Sequence, residues 1–248
     1  MKYMGSKDKI SIEIKSIIDL NRTSLKQAYV EPFVGGANMI DKIKGKRIAG
    51  DNNKYLIALW RGLQANLERP EEITKGMYDN AKKDFKNGSN NYYNNFLIGY
   101  IGFLASFNGK FFNGYANKRK NGRNDIDEGV RNINTQIKLL QDVSFYHSDY
   151  QKLLFPDNSI IYCDIPYKNT TEYKTDIFNY PEFYDYAERK SKEGHKVFIS
   201  EYWMPADRFT KIWQKQVNCG MVAGSPKNKI ESLFIPKNQK IKQYATLF

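Results

Sequence analysis

Short apolar runs recur along the chain, and each ends in a cluster of glycine, acidic or amide residues. Five such runs predict strands at 27–30, 46–50, 143–146, 159–163 and 197–199. Apolar runs without polar alternation are typical of buried parallel strands. Helical spacing of apolar residues between the runs predicts helices over 10–18, 53–64 and 181–192. The pattern predicts an α/β fold with a mostly parallel sheet, helices on both faces, and a site at the carboxyl ends of the strands.

One stretch, from about Arg61 to Leu140, breaks this alternation. It is rich in helix-forming residues and asparagine, and it contains a basic, aromatic segment. We interpret 61–140 as an inserted helical subdomain, and 1–60 together with 141–248 as the main domain. A second basic region, 211–242, is more diffuse, and we interpret it as ordinary surface.

Composition limits the class of protein. The 248 residues are 41% hydrophobic and 15% aromatic, which is enough for a core and argues against disorder. No apolar run reaches the roughly 18–20 residues of a membrane span, and the first residues lack the apolar stretch of a secretory signal. Two cysteines, Cys163 and Cys219, are too few for a disulfide framework or a cysteine-rich zinc site. We expect a cytoplasmic protein without a metal or a membrane partner.

Positive charge is in excess, with 39 Lys and Arg against 27 Asp and Glu, a net charge of +12. This favours a polyanionic partner, because each phosphate contact releases condensed counterions. The segment SFNGKFFNGYANKRKNGR at 106–123 has no acidic residue and interleaves basic with aromatic side chains. Such a segment suits contacts to phosphates and bases. A solvated loop whose rings anchor it to the core has the same composition.

The first candidate ligand site is the segment Glu31-Pro32-Phe33-Val34-Gly35-Gly36, which follows a predicted strand. Adjacent glycines let a backbone approach a ligand closely, and a helix predicted after them would present free N–H groups. The segment is neither the dinucleotide-binding glycine pattern nor a P-loop. Asp51 ends the next strand, where an acid can accept both hydroxyls of a ribose. The alternatives are a structural turn at the glycines and a helix N-cap at Asp51.

The second candidate site is Asp164-Ile165-Pro166-Tyr167, directly after a strongly strand-like run. Proline fixes the turn and aims an acid and an aromatic ring at one small volume. A carboxylate and backbone carbonyls can accept both hydrogens of an amino group, while Tyr167 stacks on a planar ring. This combination fits a nucleobase flipped out of a duplex.

In this order, the segments resemble the Dam-like, class α DNA adenine methyltransferases that use S-adenosylmethionine, particularly phage members. The resemblance covers most of the chain and includes a segment, 3–7, similar to the family's N-terminal aromatic-x-Gly-Gly-Lys motif, with Ser6 where a second glycine is usual. Segment 106–114 is similar to its target-recognition segment, and 147–150 to the segment lining the adenine end of the cofactor pocket. Segment 164–167 resembles the catalytic Asp-Pro-Pro-Tyr motif, with Ile165 in place of the first proline. Segment 200–202 resembles the strand end that follows, and 229–234 resembles the last motif, which we interpret chiefly as a core strand.

The resemblance implies a Rossmann-like methyltransferase sheet and site-specific transfer of a methyl group from S-adenosylmethionine to the N6 amine of a flipped adenine in double-stranded DNA, without a metal. It makes the inserted subdomain the target-recognition region and the rest of the chain the catalytic domain. The implied catalytic residues are Asp164, Pro166 and Tyr167. The implied cofactor-binding residues are Tyr3, Lys7, Glu31, Phe33, Gly35, Gly36, Asp51, Asp149 and Asp164. The candidate DNA-binding residues are Asn108, Lys110, Asn113, Lys118, Arg119, Lys120 and Arg123.

Several alternatives stay open at this point. Cytosine N4 methylation needs the same amine-accepting geometry, and a DNA-binding protein that has lost catalysis would be marked by Ile165. Lys7 has a second interpretation as a solvated residue in the first turn of a helix. A nicotinamide-dependent dehydrogenase lacks its glycine pattern here. We expect a monomer or a weak dimer in the cytoplasm of a bacterium or phage-infected host, with restriction-modification, phage protection and regulation all open as roles.

Overall fold

The computed structural model describes residues 1–3, 5, 7–116, 122–167, 178–219 and 227–242. Within these residues, seven strands form a single sheet. In chain order they are β1 (Tyr29–Glu31), β2 (Arg47–Asp51), β3 (Val143–His147), β4 (Ile160–Asp164), β5 (Lys196–Glu201), β6 (Phe209–Cys219) and β7 (Lys227–Pro236). Their order in the sheet is β3-β2-β1-β4-β5-β7-β6. The prediction of an α/β fold is therefore confirmed.

The direction of the strands divides the sheet into two parts. Strands β3, β2, β1, β4 and β5 are parallel, whereas β7 runs antiparallel to both β5 and β6. All five predicted strands are confirmed, and 229–234 lies in β7 as expected. Strand β6, at the start of the basic region 211–242, was not predicted. The exposed Lys211, Gln214 and Lys215 hide the strand pattern of β6, in which Trp213 is buried.

Six α-helices are present in the described part of the chain. They are α1 (Ser11–Asn21), α2 (Lys54–Gln64), α3 (Lys75–Asn87), α4 (Asn95–Leu104), α5 (Asp125–Gln136) and α6 (Tyr180–Lys192). The three predicted helices, α1, α2 and α6, are confirmed. Asn53 begins α2, because its side chain accepts hydrogen bonds from the amides of Tyr55 and Leu56. None of the described helices combines the length and apolar character that a membrane span requires.

The helix predicted after the two adjacent glycines is not formed, and that prediction is wrong. Only a short 3₁₀ turn, Ile40–Lys42, follows the glycines before β2 begins. Ala37 has a φ of 55°, a left-handed conformation that interrupts helical backbone directly after Gly36. A helix N-terminus therefore does not supply free N–H groups directly after Gly36.

The segment 61–140 is helical, as predicted, and it packs closely on the main domain. A Cβ on Gly99 of α4 would lie 2.2 Å from the carbonyl oxygen of Tyr55 in α2, so only glycine allows this approach. Phe96 packs over Gly62 in the same way. Buried side chains of α2, α3, α4 and α5 form one hydrophobic cluster with residues of the sheet. The division of the chain at 61 and 140 stays a prediction.

Candidate active site

The sheet reverses its strand order between β1 and β4, which are neighbours although β2 and β3 lie between them in the chain. Ligands of open α/β sheets bind outside the carboxyl ends of the strands at such a switch point. Glu31 is the last residue of β1, and Asp164 is the last residue of β4. The topology therefore brings the two predicted sites to the same edge of the sheet.

Lys7 contacts Asp164 directly. Its Nζ lies 2.9 Å from Oδ1 of Asp164 and donates a second hydrogen bond to the carbonyl oxygen of Gly5, also at 2.9 Å. Lys7 is 4% exposed and precedes α1, so its interpretation as a solvated helix residue is wrong. Burial raises the pKa of the Asp164 carboxyl above its usual range, and the ammonium of Lys7 opposes this shift. A buried lysine and a partly exposed carboxylate therefore form one charged pair at the end of β4.

Tyr167 is held on several sides. The Nζ of Lys7 lies 4.4 Å from the centre of its ring, and the Tyr202 ring packs edge-on with a centroid distance of 4.3 Å. The Tyr167 hydroxyl donates a hydrogen bond of 2.6 Å to Oε2 of Glu231 on β7. Burial first, and then the charge of nearby Asp164, raises the pKa of Tyr167 well above its usual value of 10.0. The phenol is therefore a stable hydrogen-bond donor near neutral pH.

The turn between Asp164 and Tyr167 is also held by contacts with other parts of the chain. Ile165, which stands where the resembled motif has proline, is 2% exposed and packs in the core beneath the site. Pro166 is exposed, and its carbonyl oxygen accepts a hydrogen bond of 2.9 Å from the Tyr180 hydroxyl. The side chain of Ile165 is thus part of the core, and the hydrogen bond from Tyr180 holds the backbone of the turn at Pro166.

The adjacent glycines make room for an aromatic side chain of the chain itself. A Cβ on Gly35 would lie 2.8 Å from Cε1 of Tyr3, and one on Gly36 would lie 2.6 Å from Cβ of Tyr3. Gly35 also has a φ of 47°, in the region that favours glycine. Trp60 donates its indole N–H to the carbonyl oxygen of Gly35 at 3.2 Å. Tyr3 and the glycine loop are therefore in contact, as the two predicted cofactor segments require.

Asp51 links the glycine loop to the end of β2. Its Oδ2 accepts the Gly35 amide at 3.1 Å and its Oδ1 accepts the Asn53 amide at 3.0 Å. The helix cap of α2 is Asn53, so the alternative role of Asp51 as that cap is wrong. Burial raises the pKa of the Asp51 carboxyl. A carboxylate offers about four acceptor positions, so Asp51 retains capacity for ligand hydroxyls.

Two further predicted cofactor residues lie along this edge. Phe33 is half-buried, and its ring centre lies 5.1 Å from that of Tyr150, with other aromatic rings of the same cluster nearby. Asp149 follows β3, whose last residue is the register partner of Asp51. It is exposed, and its Oδ1 accepts the Gln151 amide at 2.8 Å. The edge therefore offers an aromatic surface and an acid beyond Asp51.

Glu31 is the most enclosed acid at the site. It is 3% exposed, and its Oε1 accepts a hydrogen bond of 2.7 Å from the Tyr29 hydroxyl. Burial raises the pKa of Glu31 well above the usual value, and the nearby carboxyl groups of Asp41 and Asp164 add to the shift. The carboxyl groups of Glu31 and Asp164 therefore lie close enough to influence each other at this edge of the sheet.

The predicted recognition segment is described only in part. Asn108 and Asn113 are exposed, and Lys110 is partly buried. The backbone carbonyl oxygen of Lys2 would lie 2.5 Å from a Cβ on Gly109, so the segment packs on the residue next to Tyr3. The predicted DNA contacts Lys118, Arg119 and Lys120 lie outside the described residues, as do Met4 and Ser6 of the N-terminal motif.

Arg123, another predicted DNA contact, is engaged within the chain. Its guanidinium forms ion pairs with Glu128 at 2.5 Å and Asp125 at 3.4 Å, and both acids lie in the first turn of α5. Lys2 pairs with the same two acids. These pairs neutralise part of the positive charge that the sequence indicates for this surface.

Two residues near Asp164 and Tyr167 lie in segments that the sequence analysis named without giving these residues a role in the site. Glu231 receives the Tyr167 hydroxyl but lies in a run interpreted as core strand. Its signal was a lone acid within the apolar run Ile230-Glu231-Ser232-Leu233-Phe234. Ser200 lies opposite Asp164 in the β4–β5 pair and shares a hydrogen bond of 2.7 Å with the Tyr162 hydroxyl. Both residues belong to the layer that supports the Asp164–Tyr167 turn.

Comparison with known proteins gives one strong match. The family model of the D12 class N6 adenine-specific DNA methyltransferases matches residues 3–223. No curated protein matches the chain significantly. Among solved structures, an rRNA methyltransferase, aviRa from Streptomyces viridochromogenes, has 9% identity and a TM-score of 0.42, covering 92% of this chain and 84% of its own. SMU.472, described as a putative methyltransferase complexed with SAH, has 11% identity and a TM-score of 0.38, covering 97% of this chain and 55% of its own. Because both TM-scores are below 0.5, neither similarity supports a conclusion about this chain.

Proposed function

We propose that this chain, which belongs to the family of D12 class N6 adenine-specific DNA methyltransferases, methylates the N6 amine of an adenine flipped out of double-stranded DNA, with S-adenosylmethionine as the donor. The observation that carries the proposal is the contact of one buried lysine, Lys7, with both Asp164 and Tyr167 beside the glycine loop of β1. An acid and an aromatic ring meet there at the switch point of the sheet. The family match makes the chain an enzyme of DNA adenine methylation, and the residue roles below are proposed.

The base site is formed by Asp164, Ile165 and Tyr167. Asp164 and the backbone carbonyl of Ile165 accept the two hydrogens of the amine, which localises the nitrogen lone pair for attack on a methyl group. Tyr167 stacks on the extruded ring, a contact worth about 1–3 kcal/mol per base. Because a flipped base has lost its stacking in the duplex, this contact offsets part of the cost of flipping.

The role we propose for Lys7 concerns the ionisation of Asp164. Its ammonium neutralises Asp164 and lies over the Tyr167 ring in the structure. The ammonium of Lys7 favours the ionised carboxylate, whereas burial of Asp164 favours the protonated form. An ionised Asp164 accepts hydrogen bonds from an amine, so the role we assign to Lys7 is to favour this form.

The carboxyl ends of β1, β2 and β3 fit S-adenosylmethionine. Asp51 retains acceptor positions for the ribose hydroxyls, and Phe33 and Asp149 lie at the proposed adenine end. Glu31 and the loop at Gly35 and Gly36, covered by Tyr3, form the part nearest to β4. When bound there, the cofactor supplies an electrophilic methyl group on a sulfonium. The buried acids of the edge complement its positive charge.

DNA reaches this edge from the side of the recognition segment, in our proposal. Asn108 and Asn113 are exposed and carry amide groups that can read base edges, and we assign Lys110 and Arg123 to phosphates, with Arg123 leaving its ion pairs on binding. The contact between Gly109 and Lys2 connects this segment to Tyr3 and the glycine loop. This contact supports a proposed target-recognition region next to the proposed cofactor pocket.

The test is methylation of mixed-sequence DNA by the purified protein, followed by sequencing-based mapping of modified bases. We expect modified adenines at one recurring sequence, which would establish the target base and the site together. Modified cytosines would replace the proposal with N4 methylation. Unmodified DNA, together with DNA binding but no heat of binding for millimolar S-adenosylmethionine, would indicate a binding protein without catalysis.

A further inference from the structure

We infer that Glu231, on the antiparallel strand β7, is a positioning residue that holds the Tyr167 ring in its stacking orientation. The inference rests on the proposed function of Tyr167. It adds to the site a residue that lies beyond the part of the chain matched by the family model, which ends at residue 223. The strand that carries Glu231 thereby becomes part of the active site as well as part of the sheet.

The contact itself is short and nearly enclosed. The Tyr167 hydroxyl donates to Oε2 of Glu231 at 2.6 Å, and Glu231 is 8% exposed. Hydrogen bonds from a hydroxyl to an ionised carboxylate fall in this length range and are about twice as strong as neutral ones. The bond therefore restrains the far end of the Tyr167 ring, opposite its attachment to the backbone.

Glu231 is itself well fixed. It lies in the long antiparallel pair of β6 and β7, directly opposite Lys215, while the next residue, Ser232, pairs with Glu201 at the end of β5. β7 is thus an interior strand of the sheet, hydrogen-bonded on both sides. A side chain on such a strand is a more rigid anchor than one on a loop.

Two other contacts of the Tyr167 ring come from different parts of the chain. Neither of them fixes the orientation of the ring by itself. Lys7 lies near the ring centre, and Tyr202 packs against it edge-on. Both contacts would allow the ring to turn about its long axis or slide, whereas a bond to the hydroxyl fixes the position of its tip. The three contacts together define one orientation.

The substitution at Ile165 gives this anchor a specific purpose. Proline would lock the φ angle at this position, and isoleucine does not. Restraints from outside the turn therefore matter more, and they include the Tyr180 hydroxyl on the Pro166 carbonyl and Glu231 on Tyr167. Since a misplacement of about 1 Å can cost a hundredfold in rate, a restraint on the stacking ring affects the methyl-transfer step.

The test is a double-mutant cycle in the intact protein. Glu231→Ala and Glu231→Gln are each made in the wild type and in Tyr167→Phe, and single-turnover methylation is measured on a duplex containing the mapped target site. A second duplex, with 2-aminopurine at the target position, reports by its fluorescence how the flipped base is stacked. Ile235→Ala is the matched control, because Ile235 is a buried residue of the same strand, four residues beyond Glu231.

We expect Glu231→Ala to lower the single-turnover rate about tenfold to a hundredfold, with brighter 2-aminopurine and unchanged cofactor affinity. Glu231→Gln, which keeps an acceptor oxygen, should recover most of the rate. In the Tyr167→Phe background, Glu231→Ala should change the rate less than about threefold, because the bond is already absent. Ile235→Ala should lower the melting temperature without affecting the fluorescence.

Three results would overturn the inference. A wild-type rate in Glu231→Ala would show that the anchor is not needed, and an equal loss of rate in both backgrounds would show that Glu231 acts independently of Tyr167. A loss of rate that merely parallels the loss of melting temperature, as calibrated by Ile235→Ala, would assign Glu231 to strand stability. A wild type that forms no N6-methyladenine would contradict the proposed function as well, and that outcome is distinct from these three.

Discussion

The carboxyl edge of the sheet and the recognition segment differ in how their polar groups are engaged. At the edge, predicted functional groups hold one another: Lys7 pairs with Asp164, and Asp51 accepts the Gly35 amide. In the recognition segment, Asn108 is exposed, and Arg123 is paired with acids of α5. The proposed site of the chemistry is thus preorganised by the strand ends, whereas the surface proposed for DNA must exchange internal pairs for contacts to phosphate. Substitutions at the edge should change the rate or cofactor binding, and substitutions in the segment should change DNA affinity.

The largest effect is expected at Asp164. Asp164→Ala removes the proposed acceptor for the amine, so single-turnover methylation should fall at least about a thousandfold. DNA affinity, measured by fluorescence anisotropy, should stay within about threefold of the wild type. Asp157→Ala, at an exposed aspartate, is the control and should retain full activity. Turnover by Asp164→Ala would remove this carboxylate from the mechanism.

A smaller effect is expected at Asp51. Loss of hydrogen bonds from a carboxylate to ligand hydroxyls should weaken S-adenosylmethionine binding about tenfold to a hundredfold in isothermal titration. The matched control is Asn53→Ala, which removes the cap of α2 but no proposed cofactor contact. It should lower stability by about 1 kcal/mol and leave cofactor affinity unchanged. Equal affinities for Asp51→Ala and the wild type would restrict Asp51 to holding the loop.

A substitution beside the recognition segment should have a smaller effect, and it should increase DNA affinity instead of reducing a function. Glu128→Gln removes one of the two ion pairs of Arg123 and leaves the pair with Asp125, so DNA affinity should rise about two- to fivefold at low salt, since an exposed pair is weak. In the background of Arg123→Gln, the same substitution should change affinity less. A decrease in affinity in the first case would show that Glu128 orders the segment rather than competing with phosphate.

The smallest effect concerns stability and pH. Burial raises the pKa of Glu31, so its contribution to stability is complete below the usual carboxyl pKa and is lost as the pH rises through the raised value. Glu31→Gln keeps an acceptor for the Tyr29 hydroxyl without the buried charge. Urea unfolding from pH 4 to 9 should show the wild type losing stability relative to the variant, by about 1.4 kcal/mol per unit of pKa shift. A constant difference across this range would contradict the buried charge.

Much of the fold could be predicted from the sequence, because buried parallel strands consist of apolar runs that are followed by polar residues. The segments at 31–36, 51 and 164–167 lie where that pattern indicates. β6 could not be predicted, because it is a partly solvated edge strand with a bulge between Lys211 and Trp213 that breaks its alternation. The helix expected after Gly36 failed because the left-handed backbone of Ala37 is not visible in residue types.

The partners of the site residues were the harder part of the prediction. A motif shows that Asp164 and Tyr167 belong together, but the contacts to Lys7 and Glu231 join residues far apart in the chain. The ion pairs of Arg123 could not be predicted either. The basic composition of the segment 106–123 gives no sign that acids in the next helix, α5, pair with Arg123. Long-range pairing of side chains depends on the packing of the sheet and helices, which local patterns do not encode.

The most direct measurement is the mass of the nucleosides released from DNA after incubation with the protein and S-adenosylmethionine carrying an isotope-labelled methyl group. We predict labelled N6-methyladenine for the wild type and none for Asp164→Ala, with no other labelled base. Labelled N4-methylcytosine, or labelled adenine formed equally by the wild type and Asp164→Ala, would contradict it.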